Sequence, residues 1–191
     1  MRNLLINGLA IDWDRIAADS YLKNIEALQG LKEMSFRKPV TFFVGENGSG
    51  KSTLLEAVAA AWGFNPEGGT RNYSFSTYDS HSELCEAIRL FRGTRKAQNG
   101  YFLRAESFYN VATMEEEYSK GPGGRPQFII VTHSPILLGL PDAEILSFDE
   151  GPVHPCGYEE TDSYRITSMF INNRERILHQ LLEDEDEQIL T

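Results

Sequence analysis

Two runs of consecutive apolar or β-branched residues dominate the hydrophobic pattern of this chain. Residues 40–44 read Val-Thr-Phe-Phe-Val, and residues 127–132 read Gln-Phe-Ile-Ile-Val-Thr. Runs of this length without polar alternation are typical of parallel strands that are buried on both faces of a sheet. Residues 54–61 follow the first run and are rich in leucine and alanine, which favour helix. The pattern therefore predicts an α/β domain.

Weaker periodic patterns predict the other elements. Residues 84–91 carry apolar side chains at helical spacing behind a capping-box sequence at residues 80–83, so we expect a helix that ends at Gly93. The apolar stripe of residues 177–182 predicts a C-terminal helix that starts near Asn172. The remaining predictions are a first strand at residues 4–6, a turn at Asn7-Gly8, mixed helical spacing at residues 21–34, a strand at residues 101–104 and a Gly/Pro linker at residues 121–126.

A glycine-rich segment joins the first apolar run to the helix that follows it. Residues 45–52 fit the pattern G-x-x-x-x-G-K-S/T, and we call this segment the P-loop. Its glycines allow a tight turn that brings backbone N–H groups close to phosphate oxygens, and the following helix points its positive dipole end at the same anion. The segment predicts a binding site for a nucleoside triphosphate. The alternative is a glycine-rich turn with an incidental lysine.

The polar side chains of the P-loop have distinct expected roles. Lys51 is a cation that can reach the β- and γ-phosphates, and the Ser52 hydroxyl is a hard oxygen ligand suited to Mg²⁺. The motif alone does not separate an ATPase from a GTPase, a kinase or a silent binding module, but the chain lacks the N-K-x-D sequence of GTPases, which favours adenine. The expected ligands are ATP and Mg²⁺, with Ser52 on the metal. The expected nucleotide-binding residues are Gly45, Asn47, Gly48, Ser49, Gly50, Lys51, Ser52 and Thr53.

A histidine follows the second apolar run. In an open α/β sheet, ligand-binding groups gather at the carboxyl ends of the strands, where the γ-phosphate of a P-loop ligand would also lie. His133 is therefore a candidate catalytic residue, which would hydrogen-bond this phosphate or position an attacking water. Alternatively, Ser134 caps and Pro135 opens a short helix, with His133 incidental. The spacing does not separate the two interpretations.

Two acidic positions also have alternative interpretations. Glu106 and Ser107 lie at the carboxyl end of the predicted strand at residues 101–104, and they are either groups on the γ-phosphate side or a helix cap. Asp149 and Glu150 follow an apolar strand and so resemble a Walker B sequence, whose aspartate supports Mg²⁺ and whose glutamate orients water. The same two residues also fit a plain turn before a short strand at residues 153–154.

Composition and charge limit the classes of function. The chain has 191 residues, of which 41% are hydrophobic, enough for one α/β domain and short for two. The net charge of −10 disfavours a broadly basic nucleic-acid surface, and the small basic cluster at residues 89–96 fits an exposed helix end better. Two distant cysteines, Cys85 and Cys156, predict neither a disulfide framework nor a zinc site. With no leader sequence and no apolar run near the roughly 18 residues that span a bilayer, we expect a cytoplasmic protein.

Several stretches together resemble a known family: FFVGENGSGKSTLLEAVA, NPEGG, YFLRAESFYNVAT, QFIIVTHSPILLGLPDAEI and NNRERIL. The chain resembles the small bacterial AAA-type ATPases with an ABC-like core, which are relatives of ABC transporter and SMC-type heads. The resemblance implies a three-layer P-loop NTPase fold, with a mainly parallel sheet flanked by helices in a single domain over residues 1–191. It also implies ATP hydrolysis and a partner chain, either a head-to-tail second copy or a separate protein.

The resemblance also assigns positions, and it exposes a gap. Residues 45–53 are similar to Walker A, His133 to the switch histidine and Glu106 to the Q-loop position, although its residue type departs from the family. Residues 145–151 match the strand and turn that follow the switch histidine, whereas a Walker B should precede it. The signature loop, Walker B and D-loop are missing where the linker at residues 121–126 stands. Either the chain is shortened there, or this sequence omits a stretch of the protein.

These observations leave three hypotheses open. The first is an ATP- and Mg²⁺-binding ABC-like ATPase domain whose turnover is weak or absent without Walker B. The second is a non-catalytic regulatory module that uses nucleotide as a structural ligand. The third is a P-loop kinase for small molecules, which would need an arginine-rich lid, and the cluster at residues 89–96 is the one available.

Overall fold

The structure is a computed structural model that describes residues 4–64, 69–70, 82–94, 101–102 and 126–188. The strands are β1 (Ile6–Ile11), β2 (Glu33–Ser35), β3 (Val40–Val44), β4 (Gly69–Thr70), β5 (Ile88–Arg92), β6 (Tyr101–Phe102), β7 (Phe128–Val131), β8 (Glu144–Ser147) and β9 (His154–Pro155). The α-helices are α1 (Lys51–Trp62), α2 (Leu84–Ala87), α3 (Pro135–Leu138) and α4 (Asp162–Gln188). Short 3₁₀ turns lie at Trp13–Arg15, Tyr21–Asn24, Glu26–Leu28 and Tyr158–Glu160.

The sheet that carries the P-loop has the strand order β7-β3-β8-β9. Both apolar runs of the sequence form strands, and β3 pairs in parallel with β7 and with β8. Phe43 packs into a hydrophobic cluster with Leu54 of α1, while Phe42 packs into a second cluster with Leu138 of α3. The central strand therefore carries buried apolar side chains on both faces, because alternate side chains enter different clusters.

The strands β2, β1 and β5 form a second sheet, which is antiparallel. The described strands thus make a mixed α/β fold, and the prediction of a mainly parallel sheet holds for the centre of the P-loop sheet alone. In the second sheet β1 runs through Asn7-Gly8, so the predicted turn there is wrong. A Cβ atom at Gly8 would lie 2.3 Å from the Met34 carbonyl oxygen, so glycine allows the close approach of β2.

The predicted helix at residues 84–91 is wrong in its second half. Helix α2 is a single turn, and β5 follows it directly and pairs with β1, with Ile88 opposite Ile11 and Leu90 opposite Leu9. The apolar positions of this segment fit a helical period and, from Ile88 onwards, a period of two as well. Pairing with the buried strand β1 decides between them, because tertiary contacts override a weak local preference.

Helix α4 begins ten residues earlier than the sequence indicates and is interrupted where we expected its start. Asn173 has φ −132° and ψ 25°, which is not helical. The side chains of Ile166 and Ile171 are 61% and 69% exposed, so this helix presents apolar residues to solvent. Within the described ranges, no helix combines the length and the apolar character that crossing a bilayer requires.

Several sequence predictions lie outside the described residues. They concern the end of the strand at 101–104, Glu106 and Ser107, the possible helix after them, most of the capping box at 80–83, part of the basic cluster, and the linker at 121–126 except for its last residue.

Candidate functional site

The P-loop begins at the carboxyl end of β3 and leads into helix α1. Gly45, Gly48 and Gly50 have φ angles of +141°, +87° and +97°, which residues with a side chain rarely adopt. Helix α1 starts at Lys51 directly after Gly50 and runs for 12 residues. The sequence prediction of a strand, a glycine loop and a helix is confirmed. The N-terminal N–H groups of a three-turn helix therefore point into the loop.

The ammonium group of Lys51 lies inside the P-loop. Its Nζ donates hydrogen bonds to the carbonyl oxygens of Gly45, at 2.6 Å, and of Glu46, and to Ser49 Oγ at 3.3 Å. The residue is only 5% exposed, which is unusual for a lysine. A buried cation ringed by carbonyl dipoles gives the loop a fixed positive charge at its centre, next to the helix N-terminus.

The other polar residues of the P-loop face outwards to different degrees. Asn47, Gly48 and Ser52 are exposed, whereas Ser49 and Thr53 are half-buried. Ser52 is the second residue of α1, so its hydroxyl projects from the first helical turn. The structure thus brings all eight predicted nucleotide-binding residues into one loop and helix end.

The strand β7 brings His133 to the same edge of the sheet. Val131 pairs with Phe43, and the N–H of Thr132 donates to the carbonyl oxygen of Phe43 at 3.4 Å, so His133 comes level with the start of the P-loop. The imidazole is exposed. Ser134 Oγ also accepts a hydrogen bond from the N–H of Leu137 at 3.4 Å, so Ser134 caps α3 as the alternative interpretation predicted. Capping by Ser134 leaves the position of His133 beside the loop unchanged.

The strand β8 brings Asp149 to the opposite flank of the P-loop. The N–H of Phe148 donates to the Val44 carbonyl oxygen at 2.9 Å, which continues the pairing of β8 with β3. Asp149 Oδ1 then accepts a hydrogen bond from the N–H of Glu46 at 2.7 Å. Its neighbour Glu150 is exposed and has a φ of +57°, as expected for the turn interpretation of this segment.

The contact of Asp149 with the P-loop was not predicted from the sequence. Asp149 fitted either a Walker B aspartate or a turn residue, and the order of the segments argued against the first. The available signal was an aspartate directly after a buried strand, but the sequence did not show that β8 would lie next to β3.

The turn at Glu26–Leu28 and the preceding Ile25 cover the other end of the P-loop. A Cβ atom at Gly50 would lie 2.7 Å from Ile25 Cγ2, so the side chain of Ile25 packs directly on the last glycine of the loop. The N–H of Val153 donates to the Ala27 carbonyl oxygen at 3.1 Å, which joins this turn to the segment after β8. These contacts were also missed, because apolar residues at mixed spacing gave no indication of where the turn would pack.

The described arginines of the basic cluster bind to the body of the domain. Arg92 Nη2 donates to the Ala61 carbonyl oxygen at 3.0 Å, and its guanidinium lies 4.8 Å from the ring centroid of Trp62. Arg92 therefore satisfies a carbonyl at the C-terminal end of α1 rather than the end of its own predicted helix. Arg89 lies over the ring of Phe91 on the same strand.

Charge near the site also affects the two cysteines. Burial, Glu160 and Asp149 raise the pKa of the Cys156 thiol, in that order of size. Burial and Glu56 raise the pKa of the Cys85 thiol. In the part of the chain that the structure describes, no three side chains of the metal-binding types His, Cys, Asp and Glu come together.

Comparison with known proteins gives a family for this arrangement. A family model described as AAA domain matches residues 21–131, which is more than half of the chain and includes the P-loop, α1 and β7. No curated protein and no solved structure matches the chain.

Proposed function

The chain belongs to the AAA domain family, and from this premise we propose that it binds ATP with Mg²⁺ at the P-loop, as an ABC-like ATPase domain. The observation that carries the proposal is the buried ammonium of Lys51 within a loop of positive-φ glycines at a helix N-terminus. A polyphosphate is the ligand that satisfies these groups together, because its oxygens accept from backbone N–H groups and from a lysine.

The expected contacts follow from the exposure of each group. Phosphate oxygens would compete with the carbonyl groups of the loop for Lys51, and Ser49 and Thr53 would add hydroxyl donors. The exposed hydroxyl of Ser52 is an oxygen ligand of the kind that Mg²⁺ prefers, and Mg²⁺ usually takes its other ligands from water and substrate phosphates. The residues present thus fit a Mg²⁺–nucleotide ligand, in which the metal would offset phosphate charge.

His133 is the residue that we propose contacts the γ-phosphate of the bound nucleotide. Its exposed imidazole comes level with the start of the P-loop, and a neutral or charged imidazole can donate to a phosphate oxygen. The acidic residue that would orient an attacking water in the family is absent from its expected place in the sequence. We therefore propose nucleotide binding with weak or absent hydrolysis.

The wider organisation follows the resemblance. We propose one shortened, three-layer P-loop domain over residues 1–191, with a linker at residues 121–126 in the place of the missing family segment. The proposed location is the cytoplasm. We propose a partner chain, either a second copy arranged head to tail or a separate protein. For efficient hydrolysis the signature loop would have to come from a separate protein, because a second copy lacks it too. Intact mass of the purified chain tests whether the central segment is absent.

Titration with ATP and Mg²⁺ tests the P-loop assignment. We expect Lys51→Ala to weaken nucleotide binding at least about tenfold, because a charge-assisted contact to phosphate is lost. The matched control is Lys38→Ala, which removes a surface lysine whose Nζ lies 3.2 Å from Asp142 Oδ1 and which should bind as the unmodified protein does. Equal affinity for all three proteins, each shown to be folded by circular dichroism, overturns the proposal.

A second titration separates the metal from the nucleotide. Ser52→Ala should lose the gain in ATP affinity that Mg²⁺ provides, while affinity in excess chelator should stay unchanged. If Mg²⁺ strengthens binding equally with and without the hydroxyl, Ser52 is not a metal ligand.

A non-catalytic nucleotide-binding module is the second candidate function. The observation that favours it is the hydrogen bond from the P-loop backbone to Asp149. A carboxylate that holds the loop in this way does not orient an attacking water. ATP at 100 times its dissociation constant should stabilise the domain by about 2.7 kcal/mol with no release of phosphate. Strong turnover that Glu150→Gln abolishes would instead restore the Walker B interpretation of Asp149 and Glu150.

A small-molecule kinase is the least supported alternative. It needs mobile arginines over the phosphates, whereas Arg92 is held at the C-terminal end of α1, away from the helix N-terminus. Phosphate release without any acceptor would separate the ATPase from a kinase.

A further inference from the structure

We infer that the Asp149 carboxylate is a positioning group that holds the first peptide of the P-loop in its ligand-binding conformation. The inference rests on the proposed nucleotide function and goes beyond it, because it gives Asp149 a role other than that of a Walker B aspartate. Asp149 acts through the backbone of Glu46 and does not itself touch a ligand.

The peptide between Gly45 and Glu46 is held from two sides. Lys51 Nζ donates to the carbonyl oxygens of both residues, and Asp149 Oδ1 accepts from the N–H of Glu46 at 2.7 Å. The carboxylate also lies directly against Gly45, where an added Cβ atom would be 2.8 Å from Oδ1. A bond from an N–H to an ionised carboxylate is stronger than one to a neutral acceptor.

Asp149 is itself fixed by the strand that precedes it. Ser147 Oγ accepts a hydrogen bond from the N–H of Asp149 at 3.2 Å, and Ser147 lies opposite Val44 in the parallel pairing of β8 with β3. The register of β8 against β3 therefore fixes the position of the Asp149 carboxylate beside the first turn of the P-loop. A group placed by a sheet is held more rigidly than one placed by a loop.

The hydrogen bonds from Lys51 and the hydrogen bond to Asp149 should respond differently when a ligand binds. A phosphate in the loop competes for the ammonium of Lys51 and weakens its bonds to the Gly45 and Glu46 carbonyls. The bond from Glu46 N–H to Asp149 involves no group that the phosphate needs, so it persists. Asp149 thus keeps Gly45 at its φ of +141° while Lys51 changes partners.

Two Asp149 variants and one control variant distinguish positioning from charge. Asp149→Asn keeps an acceptor oxygen without the charge, so it should bind ATP within about threefold of the unmodified protein, whereas Asp149→Ala should bind about tenfold more weakly. Asp19→Ala, which removes an exposed carboxylate elsewhere, controls for net charge. If Asp149→Asn binds ATP as weakly as Asp149→Ala, or if Asp149→Ala binds ATP as well as the unmodified protein, the inference that Asp149 positions the loop through its acceptor oxygen is wrong.

The amide resonance of Glu46 gives a second readout that needs no nucleotide. In the unmodified protein the hydrogen bond to Asp149 should hold its ¹H shift downfield of that in Asp149→Ala, and Asp149→Asn should keep most of this difference. An equal ¹H shift in the unmodified protein and in Asp149→Ala would overturn the inference. If these two proteins differ in the shift but the unmodified protein binds no ATP, the proposed function fails while the Asp149–Glu46 bond stands.

Discussion

The two strands beside β3 lead to side chains that differ in their contact with the P-loop: one is exposed and the other is hydrogen-bonded to the loop. On the β7 side, His133 is exposed, and no hydrogen bond joins its imidazole to the residues that the structure describes. On the β8 side, Asp149 is partly buried and accepts a backbone hydrogen bond from the loop itself. Both strands pair in parallel with β3, so the sheet places the two residues at the same edge.

The difference shows that position at a sheet edge does not by itself make a residue a ligand-binding group. Asp149 has a protein partner and contributes to the shape of the loop, whereas the polar atoms of His133 are open to solvent or ligand. Substitutions on the β8 flank should therefore change stability and loop geometry. Substitutions on the β7 flank should change chemistry and leave the fold intact.

The largest expected effect on stability comes from removing the ring of Phe43, which lies in β3 between the two flanking strands β7 and β8. Phe43 is fully buried and lies opposite Val131 and Leu146, so Phe43→Ala should lower the free energy of unfolding by about 3–5 kcal/mol. The comparison is Ile166→Ala on the exposed side of α4, which should change it by less than about 0.5 kcal/mol. Urea denaturation measures both, and similar losses would contradict the assignment of Phe43 to the core.

A methyl group at Gly45 should disturb the β8 flank specifically. Gly45→Ala adds a Cβ atom against the Asp149 carboxylate at a φ of +141°, so we expect a loss of about 2–3 kcal/mol. Gly48→Ala also has a positive φ, but no atom lies within 4 Å of its added Cβ, so it should lose only about 1–2 kcal/mol. Thermal unfolding of the two variants separates crowding against Asp149 from backbone strain. Equal losses of stability would show that the close contact between Gly45 and Asp149 adds nothing to the strain of a positive φ.

The direct test of the two flanks compares Asp149→Ala with His133→Ala. Asp149→Ala removes the charged acceptor of the Glu46 N–H and should lower the free energy of unfolding by about 1–2 kcal/mol. This range already allows for the exposure of the bond to solvent. His133→Ala should stay within about 0.5 kcal/mol of the unmodified protein in unfolding free energy. It should lower any residual ATP turnover and weaken ATP binding slightly, because a hydrogen bond to the γ-phosphate is lost. A stability loss from His133→Ala as large as that from Asp149→Ala would contradict the difference between the flanks.

The smallest expected effect is on thiol chemistry. Because Asp149 is among the groups that raise the pKa of Cys156, Asp149→Asn should lower that pKa and increase the thiolate fraction at neutral pH. Alkylation of Cys156 should then proceed modestly faster at a fixed pH. Cys85 is the internal control, because Asp149 does not contribute to its raised pKa, and its alkylation rate should not change. A parallel change at both cysteines would indicate general loosening of the fold instead.

Some of these features could be predicted from the sequence because their signal is local. The buried strands β3 and β7 are runs of consecutive apolar residues, and the P-loop is a fixed spacing of glycines, lysine and serine. Each signal lies within a few residues of chain, so the strand, loop and helix, and the position of His133 after β7, follow without a structure.

The tertiary structure alone decided the features that depend on pairing between distant segments. The segment from Ile88 fits two periods, and its pairing with β1 makes it a strand. Asp149 and Glu46 are 103 positions apart, and they meet because β8 lies next to β3. A sequence pattern records the face that a residue buries, but it does not record which strand becomes its neighbour, and that choice determined whether an aspartate would serve a ligand or the loop.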